Sequence, residues 1–129
     1  MPTFKFAKLV RDGIVDQQVA SGATPHYRIL TEDEHKTALV QKIQEEAQEI
    51  LDAPLDQVAG EIADVQQAID DLAEKYGLTP GDIKAAQEAK NKKNGSFKKG
   101  IYVERVDVDE QDPWTSYYRQ HADRYPEDR

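Results

Sequence analysis

The chain has 129 residues, no cysteine, and 17 Lys+Arg against 25 Asp+Glu, for a net charge of −8. That length suits one domain of ordinary size and excludes a large multidomain enzyme, while the lack of cysteine excludes a disulfide framework, a thiolate zinc site and a cysteine nucleophile. The acidic balance argues against general binding to nucleic acid, no run of ~18 apolar residues offers a membrane span, and the start MPTFKFAKLVRDG lacks the apolar region of a signal peptide, so a cytoplasmic protein with no nucleic-acid or membrane partner is expected.

At 38% hydrophobic and 33% charged residues, the chain is more polar than globular averages of about 45–50% and about 25%. The core must be thin. The apolar residues are nevertheless periodic, which disorder does not require. A thin core predicts that helix faces finish their burial in an oligomer, a dimer or tetramer of this chain.

Taken in order, Phe4, Phe6, Leu9, Val10, Ile14, Val15 and Val19 predict an extended start and then a helix over roughly 10–21, stopped at Gly22. His26-Tyr27-Arg28-Ile29-Leu30 is short and β-prone. Thr31-Glu32-Asp33-Glu34 is a capping box and announces a helix. Leu39, Val40, Ile43, Ala47, Ile50 and Leu51 continue it at helical spacing until Pro54, which ends it and can open the next. Val58, Ala59, Ile62, Ala63, Val65, Ile69, Leu72 and Ala73 carry a second long helix, closed by Tyr76-Gly77. The centre is therefore an antiparallel helix hairpin, 33–52 and 54–76.

Thr79-Pro80-Gly81-Asp82 opens a third helix that runs to about Lys93. Asn94-Gly95 marks a turn, and Phe97 to Val106 reads as a strand. The predicted architecture is mainly α: a hairpin completed to a four-helix bundle by dimerisation, with a small β element pairing 26–30 with 97–106. Residues 1–106 form the expected domain. Residues 107–129 form an acidic loop and a tail in which Trp114, Tyr117, Tyr118, His121 and Tyr125 recur near helical spacing, expected to pack on it.

The chemistry is carried by carboxylates. Glu46 and Glu49 are three apart on the first hairpin helix, and Glu61 and Asp64 are three apart on the second, so each pair shares a helix face. A short connector puts the pairs at similar heights. Like charges ~4 Å apart repel by several kcal/mol at an effective dielectric near 20, so a converged set would protonate, splay or hold a cation. Mg²⁺ suits such oxygen ligands, with Mn²⁺ as substitute. Either motif alone is common on exposed helices, and a pair of solvated acidic faces is the competing account. Lys90, Lys92, Lys93, Lys98 and Lys99 gather around Asn94-Gly95-Ser96. They form either a solvated patch or a set of phosphate contacts. No Walker pattern and no GxGxxG is present, so a glycine-rich loop does not hold the phosphates.

The pattern EExxE, eleven residues, then ExxD on an antiparallel helix pair resembles the all-α nucleoside triphosphate pyrophosphohydrolases, the MazG-like and phosphoribosyl-ATP pyrophosphohydrolase-like proteins. Lys8-Leu9-Val10-Arg11-Asp12 is similar to the KLVRDKIP start of one subgroup, with Gly13 and Val15 departing from it. Gly95-Ser96-Phe97-Lys98-Lys99-Gly100-Ile101 is similar to its G-G-F-x-x-G-I strand, with Ser96 in place of Gly.

The resemblance covers about residues 8–104. It implies that Glu46, Glu49, Glu61 and Asp64 hold Mg²⁺, and that Glu45 and Glu46 belong to the catalytic set, Glu45 as a nearby carboxylate that is either structural or helps to orient the attacking water. It further implies that Lys90, Lys93 and Asn94 contact phosphates, with Arg11 and Lys8 as further substrate contacts. The implied reaction is hydrolysis of a nucleotide substrate between the α and β phosphates by a homodimer, as a house-cleaning step. The alternatives are a phosphoribosyl-ATP pyrophosphohydrolase of histidine biosynthesis and a non-catalytic helical nucleotide-binding or dimerisation module.

Overall fold

A computed structural model describes residues 1–128. The chain is mainly helical, with α1 at Ile14–Ala20, α2 at Glu32–Asp52, α3 at Val58–Lys75, α4 at Pro80–Asn94 and α5 at Pro113–Gln120. It divides into two compact units, Met1–Lys93 and Asn94–Arg129.

In the first unit, α1 begins four residues later than expected. Gly13 stands at its N-cap without a side-chain cap bond, and Leu9 and Val10 lie in the irregular segment ahead of it, half-buried. The entry to α2 follows the sequence. The Thr31 hydroxyl accepts from the Glu34 amide at 3.3 Å, and the Glu34 carboxylate accepts from the Thr31 amide at 3.1 Å. Arg28 grips the same carboxylate through both terminal nitrogens, at 3.1 and 2.8 Å. These bonds hold Glu34 well below the usual carboxylate range, at about 2.

Ala53 and Pro54 take extended backbone angles and stop α2, and a single 3-10 turn at Leu55–Gln57 reverses the chain into α3. A connector this short forces the two long helices to run antiparallel. Their open ends meet: Lys75 near the end of α3 pairs with Glu32 at the start of α2, at 2.8 Å. Gly77, at φ +71, takes the left-handed step that ends α3. The Gly77 and Leu78 amides then donate back to the Glu74 and Ala73 carbonyls, at 2.9 and 3.0 Å, which satisfies carbonyls the helix end leaves open. α4 opens on a second reciprocal cap, Thr79 with Asp82, at 2.9 and 3.1 Å.

The core is as thin as composition requires. Among the described residues only Leu39 on α2 and Ala68 on α3 are buried hydrophobics. Val40, Leu51, Leu55 and Ile62 remain exposed, Leu51 at 79%. α4 is exposed along its whole length and packs against no other helix.

No strand forms among the described residues: 26–30 and 97–106 are irregular backbone. Of their side chains, Ile29, Phe97, Ile101 and Tyr102 are exposed. A β-prone run becomes a strand only when another edge pairs with it, and neither run finds such an edge within its own unit.

In the second unit, Asp112 caps α5 by accepting from the Trp114 amide at 2.8 Å, with Pro113 at the first helical position. The acidic loop before it is a folded cap: the buried Thr115 donates to the Asp109 carbonyl at 2.7 Å. The predicted aromatic spacing becomes a cluster, with Tyr117 and His121 rings 4.6 Å apart and Tyr118 and Tyr125 rings 4.9 Å apart. Arg119 ties the unit together through Glu110 and Glu127, each gripped at 2.9 Å.

The cap on α2 gives a direct test. Thr31→Ala removes an oxygen that an N-terminal amide needs, a loss of about 1 kcal/mol. Thermal denaturation followed by circular dichroism should show Tm lower by a few degrees with native helicity retained at low temperature. An unchanged Tm would mean that the cap does not limit stability.

Candidate functional site

The hairpin brings five carboxylates together. Glu45, Glu46 and Glu49 of α2 offer oxygens that all lie within 4.8 Å of one another, and so do Glu46, Glu61 and Asp64 across α2 and α3. The two groups share Glu46. Helical spacing explains the convergence: Glu46 and Glu49 are a turn apart on α2, Glu61 and Asp64 a turn apart on α3, and the tight connector fixes their heights.

Burial separates these groups. Glu46 is only 7% exposed, deeper than a residue on the margin of an apolar stripe would be. Glu45, Glu61 and Asp64 are half-buried and Glu49 is exposed. Glu46 Oε1 has a partner in Lys42 Nζ at 3.2 Å. Glu46 Oε2 and Glu61 Oε2 are buried with no hydrogen-bond partner. Buried polar atoms are nearly always satisfied, so two orphaned carboxylate oxygens in one cluster have room for a shared proton or a cation.

Three positive side chains answer part of the charge. Lys42, one turn before Glu46 on α2, reaches Glu45 at 3.5 Å as well as Glu46. Lys8 reaches Glu45 at 3.6 Å and Arg11 donates to Asp64 at 2.5 Å. Five carboxylates against three cations leave the cluster negative.

The effect is visible at Glu61, whose carboxyl is raised to about 7. Burial is the largest cause, followed by sharing of its proton with Glu46 and Glu49 and by their negative charge. The donor set, hard oxygens with orphaned members and excess negative charge, fits Mg²⁺ or Mn²⁺.

The expected metal ligands Glu46, Glu49, Glu61 and Asp64 are therefore brought together, with Glu45 beside them. The expected phosphate contacts are not part of this assembly in a single chain. Lys90 and Lys93 stand on exposed α4, which packs against no other helix, and Asn94 is its last residue. Lys8 and Arg11 reach the cluster through carboxylates: Arg11 pairs with Asp64, fifty-three residues away, rather than with its neighbour Asp12. Lys42 went unrecognised in the sequence, although its spacing to Glu45 and Glu46 is the i, i+3 and i, i+4 signal of a helical ion pair. Two shallow grooves, of about 460 and 400 Å³, lie elsewhere and include none of the five carboxylates.

The chain matches no family model, no curated protein and no solved structure.

The raised Glu61 carboxyl sets a pH dependence. Between its ordinary value of 4.5 and about 7, the folded chain holds a proton that the unfolded chain has released. Stability therefore falls as pH rises through that window. In chelator-treated protein, Tm should decline from mildly acidic to mildly alkaline pH, and Glu61→Gln should flatten the decline. A profile identical in parent and variant would show that Glu61 does not carry the charge conflict.

Proposed function

We propose that this chain is a divalent-metal-dependent nucleoside triphosphate pyrophosphohydrolase, hydrolysing its substrate between the α and β phosphates to a monophosphate and pyrophosphate. The observation that carries the reading is Glu46: nine-tenths buried, with one carboxylate oxygen unpartnered, at the junction of two groups of three carboxylates. Lys42 pairs with one Glu46 oxygen, and the other is the kind of buried, unsatisfied polar atom that is rare in folded chains.

Glu46, Glu49, Glu61 and Asp64 would hold Mg²⁺. Bound there, the ion would supply neutralisation of the phosphoryl oxygens and of the leaving pyrophosphate. Glu45, at the rim of the cluster, orients the attacking water by accepting its hydrogen bond. Lys42 holds Glu45 and Glu46 in place. Lys90, Lys93 and Asn94 bind phosphate oxygens, with Arg11 and Lys8 as further contacts. Most of the rate in such a reaction comes from positioning and charge stabilisation. The MazG-like motifs quoted above support the same chemistry.

The active assembly is a homodimer in which two hairpins form a four-helix bundle. Val40, Leu51 and Ile62 support this, since the hairpin leaves them exposed although they lie on its long helices. A non-catalytic helical module is the second reading. It is favoured by the exposure of α4, which leaves the basic residues apart from any packed neighbour.

Pyrophosphate release from canonical and modified triphosphates and from phosphoribosyl-ATP, with Mg²⁺ or Mn²⁺, decides between the readings. The expected outcome is turnover by the parent chain and none by Glu46→Gln, which should keep parental helicity. Metal binding without pyrophosphate from any substrate would establish the non-catalytic module. Separately, Ile62→Glu should convert a dimer to a monomer in light scattering. A mass unchanged by that substitution would remove the four-helix bundle.

A further inference from the structure

Asn94 and Gly95 stand together where α4 ends. Asn94 is the last residue of the helix and is exposed. Gly95 follows at φ +80, with no heavy atom within 4 Å of the position a Cβ would take. The other asparagine of the chain, Asn91, lies inside the same helix and is followed by Lys92.

An asparagine side-chain amide is an electrophile, and the backbone nitrogen of the next residue can attack it. Ring closure needs that nitrogen uncrowded, its proton lost, and a backbone able to leave the helical conformation. Gly95 meets the first need, because it carries no side chain beside the attacking atom. Lys92 and Lys93 precede the pair and Lys98 and Lys99 follow it in sequence, and nearby positive charge favours the anionic form of a group that must lose a proton. α4 meets the third. It has 15 residues, none of them buried, and packs against no other helix. Isolated helices shorter than about 12–15 residues are marginal in water, so the last turn of α4 opens at little cost.

We propose that Asn94 is a self-modification site, converted through a cyclic succinimide to aspartate and isoaspartate. Hydroxide removes the Gly95 amide proton, and the nitrogen attacks Asn94 Cγ. A new C–N bond closes the ring, the bond from Cγ to the side-chain nitrogen breaks, and ammonia leaves after taking a proton from water. Water then opens the ring. Attack at Cγ gives aspartate, whereas attack at the Asn94 backbone carbonyl gives isoaspartate, with the chain rerouted through the side chain. Water is the sole co-reactant.

Either product places a negative charge at the C-terminal end of α4, where the helix dipole disfavours it. A further consequence rests on the reading of Asn94 as a phosphate contact: a hydrogen-bond donor becomes an acceptor-only carboxylate that repels phosphate.

The test ages the full chain at body temperature and mildly alkaline pH. Tryptic cleavage after Lys93 and Lys98 releases residues 94–98, and tandem mass spectrometry locates the change. Position 94 should gain about one dalton at a rate proportional to hydroxide concentration, while Asn91 stays intact. Enzymatic carboxyl methylation specific for isoaspartate should label the aged chain. Gly95→Ala crowds the nitrogen, and Asn94→Gln must close a larger ring, so each should slow the conversion at least about tenfold. Asn94 converting no faster than Asn91, or both variants converting as fast as the parent, overturns the proposal.

Asn94→Asp, assayed for pyrophosphate release, reads the consequence apart from the chemistry. A KM several-fold above the parent's supports the modification as a loss of phosphate affinity. A parental KM beside rapid conversion of Asn94 sustains the modification and removes Asn94 from the phosphate contacts. Conversion in a chain that turns over no substrate sustains the modification and overturns the enzymatic reading.

Discussion

One buried carboxylate organises the first unit. Glu46 sits where a helix hairpin would ordinarily place an apolar side chain, and the groups around it follow from that. Lys42 approaches from the preceding turn of α2, Glu61 and Asp64 face it from α3, and Lys8 and Arg11 arrive from the segment before α1. Leu39 and Ala68, the buried apolar pair, lie further from the connector than Glu46 and Glu61 do in sequence. The buried apolar pair thus sits further from the turn than the carboxylate cluster does. A chain selected for packing alone gains nothing from that exchange, because replacing a buried ionic cluster with apolar residues is often neutral or stabilising.

What could be read in advance divides by range. The Thr31–Glu34 box, the Pro54 break and the Gly77 stop are local, and their signals lie within a few residues. The carboxylate register was legible for a related reason: a hairpin with a short connector turns sequence distance from the turn into height. Burial of Glu46 was not legible, because the depth of one position depends on how two helices rotate against each other. The Arg11–Asp64 pair spans fifty-three residues and carries no local mark. The small sheet is not shown within either unit, since a β-prone run says nothing about whether an edge is available to it.

The second unit shows what aromatic spacing alone encodes. Trp114, Tyr117, Tyr118, His121 and Tyr125 were expected as a stripe, and they satisfy one another within the unit by edge and stacked contacts. Arg119, held by Glu110 before the helix and Glu127 after it, closes the segment on itself. Those partners raise the Arg119 guanidinium further above its ordinary value. The acidic loop is the part that caps the helix, through Asp109 and Asp112.

The two unfinished surfaces of the hairpin are separable. On α2, Val40, Ala47 and Leu51 fall roughly a third of a turn or more round from Glu46 by helical periodicity, and on α3 Ile62 stands at a similar angle from Glu61. The exposed apolar stripe and the carboxylate cluster therefore use different faces of the same two helices. In the proposed assembly a second copy covers the first face without touching the carboxylates, and a cation joins the second without disturbing the bundle. Charge at the cluster can then change between cation-free and cation-bound states while the apolar contacts hold the helices in register. In that proposed assembly the separation would let a chain with so small a core keep its carboxylates in place.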